Sequence, residues 1–244
     1  MARKIVIASG KGGVGKSSMT KGICLSLADL GFRVLAIDCD IGLRCLDILF
    51  DTGSRCVFDW GDIICEVCGP FKAITEAGRV DVLAAPSQLL PEFTPLAARS
   101  MVKKFDNDYD YIILDAPAGI GSAFMLAAAM ADEGIIVSTP DPVCVRAAEK
   151  AGAELKKQGV GEVRLIINKF NKGAVENKFL LNIDDTIDST GIRLIGVVPE
   201  DPEIPFHYTS GKNLSKKSPA SKAFIRVAKR ISGERLPLNL KLLK

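Results

Sequence analysis

The sequence predicts an α/β fold in which helices cover both faces of a mostly parallel β-sheet. Three observations carry this. Short β-branched runs alternate with longer segments of helical periodicity, the pattern of βαβ units. The candidate strands are continuous apolar runs rather than alternating ones, as expected where both faces of a sheet are buried. The chain has 244 residues, 48% hydrophobic and 25% charged, enough for one large domain with a core on each side of a sheet.

Taken along the chain, the first strand is Lys4–Ala8. A glycine-rich loop follows it, and an amphipathic helix opens near Lys16. On that helix Ile23, Leu27 and Leu30 fall on one face, and Gly31 supplies the stop. The later strands are Val34–Asp38, Val80–Ala84, Tyr111–Asp115, Gly134–Ser138, Val163–Asn168 and Leu194–Val198. Near the end, Ala220, Ala223, Phe224, Val227, Ala228 and Ile231 form one apolar stripe closed by Gly233. Lys222, Arg226, Lys229 and Arg230 lie on the opposite arc and read as a solvated helix face.

The loop carries the chemistry. Gly10 to Ser17 match G-x-x-x-x-G-K-[ST], with a strand before and a helix after. Glycine lets the backbone curl so that successive N–H groups point inward at phosphate oxygens, and the helix start adds its positive dipole end. Lys16 reaches the β- and γ-phosphates of a nucleotide, and the Ser17 hydroxyl takes a place on Mg²⁺. Lys11 reads either as a solvated charge or as a cation aimed at a second subunit's nucleotide, where phosphoryl transfer spreads negative charge.

Carboxylates follow at strand ends. Asp38 and Asp40 end the second strand and Asp115 ends Tyr111–Asp115, the edge of an open sheet where ligands collect. Mg²⁺ keeps several waters and takes one or two carboxylates, so Asp38 and Asp115 suit its outer shell, and Asp40 is left to orient an attacking water. His207, the single histidine, falls in a Pro-rich loop and is not needed for this chemistry.

Bulk properties narrow the classes. A net charge of +3 does not by itself imply nucleic acid. No apolar run reaches the roughly 18 residues of a membrane-spanning helix. The start shows no signal region, so a cytoplasmic protein is expected. Of seven cysteines, Cys24, Cys39 and Cys144 sit in apolar runs and read as small buried hydrophobes. Cys65 and Cys68, with Cys56 nearby, have metal-ligand spacing, but a pair gives only two ligands. Ordinary, partly buried thiols are the reading preferred for them.

At this point the chain resembles the MinD/ParA family of deviant Walker A P-loop ATPases. Lys11-Gly12-Gly13-Val14-Gly15-Lys16-Ser17 matches the family's Walker A loop. Asp38-Cys39-Asp40-Ile41-Gly42-Leu43-Arg44-Cys45-Leu46-Asp47 is similar to the switch segment of its MinD branch, and Asp115-Ala116-Pro117-Ala118-Gly119-Ile120 to its Walker B segment. Gly196 to Asp201 and Gly211-Lys212 resemble C-terminal landmarks. The resemblance implies a three-layer P-loop NTPase fold with a sheet of seven to eight strands, and a domain over residues 1–234 with a C-terminal tail at 235–244. It implies an ATP-dependent homodimer with slow, partner-stimulated hydrolysis, using ATP as substrate and Mg²⁺. Gly10 to Ser18 then bind ATP, with Lys11 crossing to the other subunit and Asp40 positioning water. Asp38, Asp115 and Ser17 serve the metal. Asn168 and the backbone near Pro199, Glu200 and Asp201 hold adenine.

For biology the resemblance implies a spatial regulator of division-site placement, working peripherally on the inner face of an anionic membrane with an effector of MinC or MinE type. Two alternatives stay open: a regulator of flagella or pili, and a ParA-like ATPase that coats DNA. Lys212, Lys216, Lys217, Lys222, Arg226, Lys229 and Arg230 support the DNA reading. Three departures from the MinD pattern stand out. In the tail, Leu236, Leu238, Leu240 and Leu242 have period two and Pro237 breaks a helix. Only the last seven residues are left to be helical, on a bilayer or packed back on the domain. Cys45 replaces an Asn. Val145-Arg146-Ala147-Ala148-Glu149 lacks the family's Asp after Arg at a partner surface.

Overall fold

Eight strands form one sheet in the computed structural model of the chain, which describes residues 1–208 and 210–238. They are β1 (Arg3–Ser9), β2 (Val34–Asp38), β3 (Ile74–Ala77), β4 (Val80–Leu83), β5 (Tyr111–Ala118), β6 (Glu133–Ser138), β7 (Glu162–Phe170) and β8 (Arg193–Pro199). Their spatial order is β3-β4-β2-β5-β1-β6-β7-β8. Neighbours run parallel except β3 and β4. The helices are α1 (Lys16–Asp29), α2 (Leu46–Leu49), α3 (Trp60–Ile64), α4 (Pro95–Lys103), α5 (Ser122–Met130), α6 (Pro142–Lys157), α7 (Lys172–Glu176), α8 (Ile183–Thr190), α9 (Glu203–Tyr208) and α10 (Pro219–Ile231).

All seven apolar runs are strands, and the expected α/β architecture holds. The apolar criterion does not mark β3. It is a four-residue antiparallel edge strand whose Glu76 is exposed, so it buries too little to leave an apolar run.

The sheet divides two cores. Along β1 the side chains alternate, with Val6 and Ala8 in one cluster and Ile5 and Ile7 in the other. Helices α4, α5 and α6 cover the first through Met101, Phe124 and Leu155. Helices α1 and α10 cover the second through Ile23, Leu27, Phe224 and Val227. Val34 and Ala36 of β2 and Tyr111 and Ile113 of β5 face that second core. By the same alternation Asp38 and Asp115 project on the α1 side of the sheet.

Several details differ from the sequence reading. Leu30 is 36% exposed, because α1 ends at Asp29 and Gly31, at φ +92°, turns the chain away. His207 belongs to α9, not to a loop; the prolines at 202 and 205 sit in and just before its first turn, where proline is tolerated. The basic arc of α10 is not simply solvated. Arg230 donates to Ile195 O at 2.5 Å and to Leu236 O at 2.9 Å. Arg226 donates to Pro237 O, and Lys229 pairs with Glu234 at 3.4 Å. These grips fold the chain back, and Leu238 packs against the first core. Residues 239–244, most of the stretch the sequence leaves free for a terminal helix, lie outside the described residues. Among the described residues no helix is long and apolar enough to cross a membrane.

Helices α1 and α10 touch closely. A Cβ on Gly22 would lie 2.5 Å from the Phe224 ring. Alanine in a helix interior normally gains about 1 kcal/mol over glycine; here the overlap reverses the sign. Gly22→Ala is expected to cost about 1–3 kcal/mol and lower Tm by about 2–4 °C per kcal/mol, read by thermal unfolding. Adding Phe224→Leu should recover part of the loss.

Candidate nucleotide-binding site

Glycine shapes the loop between β1 and α1. Gly13 and Gly15 hold φ of +79° and +90°, a region that disfavours side chains. A Cβ on Gly10 would lie 2.0 Å from Ala147 O of α6, and one on Gly15 would lie 2.4 Å from Asn168 Nδ2. Hydrogen bonds then fix the curl. Asn168 Nδ2 donates to Val14 O at 2.7 Å, Lys169 Nζ to Gly13 O at 2.9 Å, and Ser9 Oγ to Lys11 O at 3.1 Å. No side chain caps the start of α1, which leaves its first N–H groups facing the loop's concavity, as an anion requires.

Below the loop lies a buried charge cluster. Strands β2 and β5 are adjacent with Asp38 opposite Asp115. Asp115 is 0% exposed. Its Oδ1 accepts from Lys16 Nζ at 3.1 Å and from Thr20 Oγ1 at 2.7 Å, and its Oδ2 is buried with no hydrogen-bond partner. Asp38 accepts from the backbone N–H of Asp40 and of Leu46, each at 2.8 Å. Trp60 Nε1 donates to Asp38 O at 2.8 Å. Ser17 Oγ lies 3.3 Å from Lys16 Nζ.

The two carboxylates repel across the strands. Burial, and then the Asp115 charge, push Asp38 up to about 7 against its two N–H donors and Lys16. Burial likewise raises Asp40, with Lys16 opposing and Asp115 assisting. For Lys16, burial works against the charge, but Asp115 foremost, then Asp38 and Asp40, outweigh it and raise its value. The cluster is short of positive charge. An orphaned carboxylate oxygen, a second carboxylate and the Ser17 hydroxyl fit a hard cation that brings its own oxygen ligands. Among the described residues no group of three or more His, Cys, Asp or Glu side chains could hold a metal unaided, so phosphate and water oxygens have to complete any such site.

Beside the loop opens a cavity of about 820 Å³, lined by Gly15, Ser18, Asn168, Phe170, Pro199 and Ile204, among others. Asn168 is 2% exposed, and its Oδ1 has no hydrogen-bond partner. Glu200 lines the cavity and accepts from Asn171 Nδ2 at 3.0 Å. Asp201 also lines it, yet its carboxylate accepts from Ser218 Oγ at 2.6 Å and Ala220 N at 3.1 Å. The side chain therefore anchors the start of α10, and the backbone is what Asp201 offers the cavity.

The loop, Lys16, Ser17, Asp38, Asp40 and Asp115 thus converge, with Asn168 and Pro199–Asp201 on the adjoining wall. Lys11 stands apart on the exposed rim. Its charge is one influence, after the Cys144 and Val143 N–H bonds, that holds the Asp141 carboxyl below its usual range. Three participants escape a motif search. Thr20 lies one turn beyond Lys16 on α1, a spacing of four that places it over Asp115. Lys169 follows Asn168 directly and Asn171 comes just past the end of β7 at Phe170, with no motif to mark either.

Cys24, Cys39 and Cys144 are buried, Cys56 and Cys68 half-buried, and Cys65 exposed. Cys45 sits at the start of α2 without a side-chain cap bond; the first N–H of the helix, that of Leu46, is taken by the Asp38 carboxylate instead. Arg146 and Glu149 are exposed on α6.

Comparison with known proteins agrees with this geometry. The model of the CobQ/CobB/MinD/ParA nucleotide binding domain matches residues 5–214. The septum site-determining protein MinD of Synechocystis sp. is 35% identical over 244 residues, covering 97% of this chain and 92% of the relative. In the MinC:MinD cell division protein complex of Aquifex aeolicus, a matching chain is 34% identical with a TM-score of 0.90, covering 98% of each chain. MinD of Pyrococcus horikoshii complexed with Mg-ADP is 26% identical with a TM-score of 0.85, over 96% of this chain and 97% of that one.

Two outcomes follow for the nucleotide-free protein. Lys16→Ala strips from a buried carboxylate pair the lysine that pairs with Asp115 and is expected to cost about 3–5 kcal/mol in denaturant unfolding; combining it with Asp115→Asn should return much of that. Asp38 keeps its proton to about 7 in the fold, against an ordinary 3.8. The folded state therefore binds more protons than the unfolded chain between these values, and stability from this group falls as pH rises from about 4 to about 7. Thermal unfolding of wild type minus Asp38→Asn should show that decline, and a flat difference would refute it.

Proposed function

The chain belongs to the CobQ/CobB/MinD/ParA nucleotide-binding family, and from that membership we propose that it is an ATP-driven dimerising switch governing division-site placement. The observation that carries the proposal is the convergence beneath the P-loop of Lys16, Thr20, Asp115 and Asp38, with one carboxylate oxygen unpartnered. The septum-site proteins named above match it across at least nine-tenths of both lengths, which supports the biological assignment.

In this reading the N–H groups of Gly10 to Ser18 cradle the phosphates of ATP. Lys16 would exchange Asp115 for the β- and γ-phosphate oxygens, and Asp115, Asp38 and Ser17 would hold the metal. Mg²⁺ supplies charge neutralisation at the phosphates. Asp40, half-buried and tethered through its own N–H to Asp38, orients the attacking water. Asn168 and the backbone at Pro199, Glu200 and Asp201 receive the base in the cavity. Lys11, exposed and outside its own cluster, reaches the nucleotide of a second subunit, so hydrolysis requires the dimer. Residues 1–234 act as the ATPase domain and 235–244 as a tail that would contact an anionic membrane once its start is released from Arg226 and Arg230. An effector of MinC type is supported by the complex in which the Aquifex relative was solved, and the exposed face of α6 with Arg146 and Glu149 is a candidate surface for it. The DNA-coating alternative loses ground, since Arg226 and Arg230 of its basic face are held by backbone carbonyls.

With ATP and Mg²⁺ the protein should sediment as a dimer and pellet with anionic liposomes, and with ADP it should do neither. Lys11→Ala should bind nucleotide yet stay monomeric, with turnover down about 100-fold or more. Deleting residues 236–244 should abolish pelleting but not dimerisation. A protein that shifts DNA instead of pelleting with liposomes would overturn the septum reading.

A further inference from the structure

Helix α1 carries a second buried lysine, one turn beyond Lys16 and outside the phosphate cluster. Lys21 is 0% exposed. Its Nζ donates to Leu49 O at 2.6 Å, Lys212 O at 2.9 Å and Gly211 O at 3.1 Å. The rings of Tyr208 and Phe50 lie 4.6 and 5.7 Å away. An ammonium withdrawn from water is tolerated when every N–H finds an acceptor, and here three donors meet three carbonyls. Methionine would fill the same volume without that desolvation, so the charge has to be explained by what it holds.

What it holds are two segments that flank the site. Leu49 ends α2, and Leu46 at the other end of the same turn donates to the Asp38 carboxylate. Helix α2 is therefore fastened at its start by Asp38 and at its end by Lys21. Gly211 and Lys212 follow α9, whose Ile204 lines the nucleotide cavity. The two segments also touch each other: a Cβ on Gly211 would lie 2.8 Å from the Cβ of Asp51. Beyond these carbonyls and rings, Asp51 is the charged group whose field acts on Lys21.

We infer that Lys21 is a positioning residue for the ATP reaction, strapping the α2 turn and the Gly211–Lys212 turn onto α1 so that Asp38 and Asp40 keep their place beside Lys16. The role rests on the ATPase reading above and involves no contact with substrate. Burial pulls the Lys21 ammonium down to about 8, with Asp51 opposing, while burial raises the Tyr208 phenol and keeps it neutral there. A neutral amine has two donors for three carbonyls, so the strap slackens as pH rises through about 8. The protonated form is disfavoured by the fold relative to its ordinary 10.5. Removing it therefore has little effect on global stability.

The test uses the full chain and Lys21→Met. Hydrogen exchange of the nucleotide-free protein should quicken at residues 46–50 and 210–213, with Tm little changed. The Mg²⁺ concentration for half-maximal ATP turnover should rise about tenfold, the scale of a small displacement transmitted to reacting groups. In wild type that concentration should also climb as pH passes about 8, and in Lys21→Met it should not. Unchanged exchange, or superimposable Mg²⁺ curves, overturns the inference. If Lys21→Met does not fold, the wild-type pH series decides, and no rise above pH 8 refutes it. A wild type that fails to turn over ATP sinks the ATPase reading and the positioning role with it, while the exchange measurement still reports whether the strap exists.

Discussion

The buried pairing of Lys16 with Asp115 is the contact on which the phosphate end of this molecule depends. Asp115 is wholly enclosed, and Lys16 and Thr20 are the donors that reach it. Asp38 stands opposite it across the strand pair. Two carboxylates side by side in a dry interior are tolerable when one keeps its proton or a cation stands beside them, and Lys16 of α1 is the cation paired with Asp115. That requirement fixes where α1 begins, and the start of α1 fixes the curl of the loop before it. The same pairing makes the site responsive. In the proposed reading, a phosphate ligand that drew Lys16 away would leave Asp115 short of positive charge, and a divalent cation bound with the nucleotide would restore it. Nucleotide and metal would then be coupled through one side chain.

The sheet makes this arrangement possible by parity. On β2 and β5 the apolar residues at 34, 36, 111 and 113 face the core beneath α1. The next position of the same parity on each strand is an aspartate. Each strand thus exchanges a hydrophobic contact for a charge at the level where α1 presents Lys16, β2 at its last residue and β5 three residues before its end at Ala118. Glycine does the complementary work on the loop side, where Gly10 and Gly15 lie too near Ala147 and Asn168 to carry a side chain.

Most of the fold was legible because buried parallel strands leave apolar runs that survive in sequence, and all seven such runs are strands. What was not legible buries little or turns on distant partners. The edge strand β3 is four residues long with one side open to solvent. The one-turn helix α2 is held by Asp38 and Lys21, which lie 8 and 28 residues away from the atoms they bind. The loop and its aspartates could be read because the P-loop concentrates its chemistry in a contiguous motif. Thr20, Lys169 and Lys21 could not, because nothing local distinguishes them from surface residues. Lys21 in particular reads as one polar residue in an amphipathic helix until the Gly211 turn is seen to close over it. The arginines of α10 reversed expectation for a related reason, since their partners are backbone carbonyls, which no sequence pattern displays.

The anchoring of Asp201 has a mechanical consequence. Pro199 and Glu200 form the rim of the cavity, and the next residue is bolted by its carboxylate to Ser218 and Ala220 at the start of α10. The far end of that helix grips the chain at Leu236 and Pro237. Rim, helix and tail therefore form one lever with its load and its handle at opposite ends. Thirteen residues of helix make an arm of about 20 Å, so a tilt of about 5° at the rim would carry the tail end about 2 Å. That is enough to part an arginine from a carbonyl.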